Sequence, residues 1–112
     1  MFKMAHSATR VEKRIPMAVA VQISGHAVQP GTEMTFTENV SAHGARVLSS
    51  RRWKPDDRLS IRTLTGNFEA NARVAWCAAA RGEGFAVGLE LLNPSGEWVV
   101  RPPAGRAGFT AP

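Results

Sequence analysis

The longest run of strict alternation in the chain falls between residues 67 and 76. Phe68, Ala70, Ala72, Val74 and Trp76 occupy one parity, and Asn67, Glu69, Asn71 and Arg73 the other. Successive side chains of a strand point to opposite faces, so a period of two held this long describes a half-buried β-strand and excludes an amphipathic helix. This parity places Trp76 inside, with Val74. The same period recurs in shorter runs. Met17, Val19, Val21 and Ile23 alternate with small or polar residues, and Met34 and Phe36 with Thr35 and Thr37. Ala45 to Leu48 is a short strand. Leu59 and Ile61 alternate with Ser60 and Arg62, and Phe85, Val87, Leu89 and Leu91 with Ala86, Gly88 and Glu90. Glu38 falls on the parity of Met34 and Phe36, so the second strand is expected to end or bulge there.

Turn chemistry separates the runs: Ser24-Gly25 and Gln29-Pro30-Gly31, Thr65-Gly66, and Arg81-Gly82-Glu83-Gly84. Six short strands, each with one apolar face and no long helix between them, must close on themselves to bury those faces. The expectation is an all-β fold, a small six-stranded antiparallel β-barrel, with at most one short C-terminal helical turn at Glu97 to Val100. Within the 112 residues, 1–9 read as a flexible tail, 10–92 as the barrel domain, and 93–112, rich in Gly, Ala and Pro, as a largely disordered extension.

Charge narrows the partner. The formal charge is +5, and the excess is Arg-rich, with Lys3, Lys13 and Lys54 the only lysines. A basic chain seeks an anionic partner, and the planar guanidinium fork suits phosphate and guanine edges. Cys77 stands alone, which excludes an intrachain disulfide, and its place in a strand predicts a buried, inert thiol. His6, His26 and His43 lack ligand spacing, so no metal is expected. The adjacent Asp56 and Asp57 sit in a loop that reads as solvated, and no catalytic constellation is present. The N-terminal residues do not resemble a signal peptide and no apolar run is long enough to span a membrane, so the expected location is cytoplasmic.

Two polar features remain. Arg10-Val11-Glu12-Lys13-Arg14 precedes the first strand, and Pro16 keeps it from extending as a helix. Asn39-Val40-Ser41-Ala42-His43-Gly44 follows the second. Taken alone, this second stretch reads first as an ordinary connection between strands, with Gly44 supplying positive φ or a close backbone approach. If strands one and two are antiparallel neighbours, Arg10, Arg14, Asn39 and Ser41 converge at one barrel rim.

Together these motifs, with Val74-x-Trp76 and Val87-Gly88-Leu89-Glu90-Leu91 after them, resemble the PilZ domain family over roughly residues 8 to 92. Members of that family are six-stranded barrels that bind the bacterial second messenger cyclic di-GMP. The resemblance implies that Arg10 and Arg14 grip guanine edges and phosphates, Asn39 bonds a guanine edge, Ser41 bonds a base or phosphate, and Gly44 shapes the turn. Lys13 and His43 are additional candidates. His43 stands where many relatives carry a small residue, and the helix that often follows the barrel is reduced here to one turn at most. The implied role is that of a sensor or adaptor, acting on a downstream protein through ligand-induced ordering of the Arg-x-x-x-Arg segment. Two other readings stand beside it: a basic small barrel for single-stranded nucleic acid, and a PilZ-like interaction module without ligand. The inward parity of Phe68, Trp76 and Phe85 weighs against the first, and the intact Arg10, Arg14, Asn39 and Ser41 against the second.

Overall fold

Alternation becomes seven strands in the computed structural model, which describes residues 12–101. They are β1 (Ile15–Pro16), β2 (Ala20–Ser24), β3 (Thr32–Ser41), β4 (Gly44–Ser49), β5 (Arg58–Thr63), β6 (Glu69–Ala79) and β7 (Phe85–Leu91). All pairings are antiparallel, in the order β1-β3-β2-β5-β6-β7-β4, and a further β3–β4 pairing closes the ring. Six strands, β2 to β7, thus form the closed barrel, and β1 is an extra strand laid on β3. No helix is present among the described residues.

The predicted parity holds where the strands are regular. Val21, Ile23, Leu59, Ile61, Val74, Val87 and Leu89 are all buried in one core with Phe68 and Val40. It fails in three places, each for a local reason. Residues 17–19 are not part of β2, and Met17 is exposed. Thr37 diverts them: its hydroxyl donates to Met17 O at 2.6 Å and accepts from Val19 N at 2.8 Å.

Strand β3 is inverted relative to its apolar residues. Met34 and Phe36 point outward, 67% and 57% exposed, while Glu33, Thr35 and Thr37 take the inner parity. The inner polar groups are all bonded. Thr35 Oγ1 donates to Leu48 O at 2.7 Å, and the Glu33 carboxylate accepts from Ser49 Oγ and Ser50 N, both at 2.7 Å. A one-residue slip would strand these groups, which holds the register against the pull of the two apolar side chains. The expected irregularity at Glu38 is present: the β3–β4 register shifts between Thr37 and Asn39.

A second bulge, between Val74 and Trp76, turns Trp76 outward and leaves it 37% exposed. The buried tryptophan is Trp53, 2% exposed, which enters the core from the loop after β4. Its Nε1–H donates to Ser49 Oγ at 3.1 Å, and its backbone N–H meets the half-buried Cys77 Sγ at 3.4 Å.

Residues 93–101, expected as part of a disordered extension, pack on the barrel instead. Ser95 bridges to Glu69, Glu97 N donates to Asn67 Oδ1 at 3.1 Å, and the Trp98 ring lies 4.7 Å from Phe68. They form neither a helical turn nor a named strand.

Candidate functional site

Strand β1 brings the basic segment to the barrel wall. Ile15 pairs with Val40 and Pro16 with Asn39, and the ladder stops there because proline has no N–H to extend it. Arg14 Nη1 then donates to Asn39 Oδ1 at 2.9 Å. This contact depends on the β3 bulge. In a regular strand Asn39 would share the inner parity of Thr37; the bulge at Glu38 turns its amide outward.

Across the strand, Asn39 lies opposite Arg46. Arg46 Nε donates to Glu38 Oε1 at 2.7 Å, and its guanidinium carbon sits 5.3 Å from the centre of the Trp76 ring. The indole crosses Gly88, where a Cβ would come within 2.2 Å of Trp76 Nε1, so only glycine leaves room for it. Arg14, Asn39, Arg46 and Trp76 thus form a band on the outer wall. Both bulges serve it, one re-aiming Asn39 and the other Trp76. Two guanidinium forks, an amide and a flat π surface suit a planar base carrying acceptors on its edge, or a phosphate.

The Asn39–Gly44 stretch is not a loop after the strand. Asn39 to Ser41 are the last residues of β3, and only Ala42 and His43 form the turn before Gly44 opens β4. Gly44 does not adopt positive φ. Its small size matters for another reason: a Cβ there would lie 2.9 Å from Leu89 O, so glycine lets β7 approach. Ser41 is buried, and its carbonyl accepts the Trp98 Nε1–H at 2.7 Å. A cleft of about 470 Å³ opens beside it, lined by Glu12, Arg14, Ser41, His43, Gly44, Ala75, Leu89 and Glu90. A second open groove, of about 510 Å³ over β2, β5 and β6, contains none of the residues singled out from the motifs.

Glu12 is the residue in the basic motif that motif reasoning left without a role. Its Oε1 accepts the His43 backbone N–H at 3.0 Å, and its Oε2 pairs with His43 Nδ1. His43, noted as a departure from the family pattern, is therefore explained by Glu12. Burial opposes ionisation of this carboxyl, but hydrogen bonds from the His43 side chain and backbone, and from Ser41, outweigh it and hold the group below its ordinary value of 4.5. A depressed carboxylate pKa contributes its stabilisation above the unfolded value and loses it as pH falls through the folded one. The Glu12–His43 contact is thus expected to persist at neutral pH and to break only below pH 4.5. Amide exchange at His43 across an acid titration checks this; a loss already complete above that value contradicts it.

Of the other candidates, Lys13 is exposed, and Arg10 lies outside the described residues. Glu12, Arg46, Trp76 and Trp98 join the site from the structure.

The PilZ domain family matches residues 8–98 of the chain. Among solved structures, the chain resembles the Bacillus subtilis inhibitor of motility (MotI/DgrA), with a TM-score of 0.60 and 19% identity, over 73% of this chain. It spans 42% of that protein's length, and at this identity the likeness is one of fold. No curated protein matches the chain.

Proposed function

The chain belongs to the PilZ domain family, and from that premise we propose that it is a cyclic di-GMP-binding sensor or adaptor. The family is one of binding domains rather than enzymes. The observation that carries the ligand reading is the Arg14–Asn39 hydrogen bond of 2.9 Å, in line with Arg46 and Trp76. In this reading Arg14 and Arg46 bond guanine edges and phosphates, Asn39 bonds a guanine edge, and Trp76 offers its face to a base. Arg10 joins from the preceding segment. Ser41, being buried, acts from the cleft wall rather than from open solvent.

Signal relay follows from charge. Arg10, Lys13 and Arg14 carry like charges that repel one another, while residues 12–16 contact the barrel through His43, Asn39 and Val40. The ligand's phosphates offset that repulsion and draw the part of the Arg-x-x-x-Arg segment that precedes Glu12 over the rim, creating a composite surface for a downstream protein. Ordering costs about 1–2 kcal/mol per residue, which lowers the net affinity.

One observation favours the second reading, a single-stranded nucleic-acid binder. Trp76 is exposed beside Arg46, which is the stacking arrangement such proteins use. Calorimetric titration separates the two. Guanine presents two acceptors to an arginine fork, whereas adenine presents one acceptor and one donor. Cyclic di-GMP is expected to bind much more tightly than cyclic di-AMP or a short single-stranded DNA. Equal affinities for the two cyclic dinucleotides, or a preference for the DNA, would sink the assignment.

A further inference from the structure

Strand register gathers apolar side chains into one row on the outer wall. Leu64 N donates to Ala20 O at 3.0 Å, Ala20 pairs with Phe36, and Thr35 and Thr37, on either side of Phe36, engage Leu48 O and Val47. Leu48 pairs onward with Ala86. Met34, paired with Gln22, lies two residues along the same face of β3. Of the eight large apolar side chains exposed among the described residues, this row holds four: Met34, Phe36, Leu48 and Leu64. Single exposed apolar residues are ordinary, but a contiguous group marks an interaction surface. The barrel's own packing does not require them, since its core lies on the opposite face.

We propose that this row docks a partner-protein segment that is apolar along one side and acidic at its margins. Charge selects that occupant. Arg14 borders the row beside Asn39, and Arg62 borders it opposite Gln22. Neither is in an ion pair among the described residues. Glu38 is already held by Arg46 at 2.7 Å, which leaves Glu69, the strand partner of Arg62, as the carboxylate nearby. A second copy would set this basic margin against itself, on a chain that carries a formal +5. The row also adjoins Arg46 and Trp76, so a ligand held there would border the docked segment. That consequence rests on the cyclic di-GMP reading; the docking does not.

Peptides selected from a random displayed library against the full chain are the probe, without nucleotide present. The selected peptides are expected to combine apolar anchors with Asp or Glu and to perturb the amide resonances of Ala20, Phe36 and Leu48. They are expected to lose about tenfold or more in affinity for Phe36→Asp and, separately, for Leu64→Asp. Phe36→Thr, which keeps β propensity, replaces the Asp variant if that one does not fold. The proposal is overturned if no binder to the row is enriched, if the binders are basic, or if they bind the variants as tightly as the parent. A concentration-dependent dimer that Phe36→Thr dissolves would also overturn it, by assigning the row to a second copy.

Discussion

Truncating Trp53 to Ala lowers the stability of the barrel by about 3–5 kcal/mol, the range for a large aromatic removed from a packed core. Its indole is 2% exposed, packs edge-on against His26 with 4.6 Å between ring centres, and donates to Ser49 Oγ. The truncation leaves a cavity and removes one of the hydrogen bonds at Ser49 Oγ, which keeps its bond to the Glu33 carboxylate. The same change at Trp76 costs a small fraction of that, because the ring lies on the outer surface over Gly88. Chemical denaturation of the two variants checks the contrast. Comparable losses in both would mean that the β6 bulge is absent in solution and that Trp76 faces the core.

That pair of residues shows what could be read from the sequence and what could not. Period two identified the barrel strands other than β4, which read as a short apolar run, and where a strand is regular, as in β5 and β7, it also identified the buried face. The parity of β6 runs unbroken from Phe68 to Trp76 in the sequence, and a single inserted step at Ala75 reverses its last members. Nothing in Val74-Ala75-Trp76 marks that step, because alanine suits either face. The β3 bulge did leave a mark, since Glu38 breaks the apolar parity of Met34 and Phe36. Yet those two residues are on the outside. Hydrogen bonds made by Glu33, Thr35 and Thr37 to distant segments decide the orientation of β3, and such partners are invisible to local pattern. Trp53 could be read only as a tryptophan that either packs on the barrel or stacks on a base, because it enters the core from a loop without periodicity.

The site was legible in the same uneven way. The convergence of Arg14 and Asn39 follows from antiparallel neighbours, and the structure places their side chains at 2.9 Å. Glu12 and His43 are thirty-one residues apart in sequence, and the antiparallel register of β1 on β3 makes them partners. Arg46 joins because it sits opposite Asn39, a relation that needs the bulge to be known first.

Arg14→Ala is expected to weaken cyclic di-GMP binding by about 1–3 kcal/mol, or roughly five- to 150-fold, for one lost bidentate contact. Arg62→Ala, which removes the same charge from the outer face of β5, is expected to leave the affinity nearly unchanged. Calorimetry on both variants separates a formed site from general basicity. If each variant loses the same amount, the attraction is diffuse and the nucleic-acid reading gains.

The central claim is that two bulges present one ligand band on the outer wall. It is tested most directly by titrating cyclic di-GMP into the isotope-labelled chain and following amide and indole resonances. The account predicts shifts at Arg14, Asn39, Arg46 and Gly88 and at the Trp76 indole, with the buried Trp53 indole unmoved. Shifts confined to the groove at Gln22, Ser60 and Asn71, with the Trp76 indole unmoved, would contradict it.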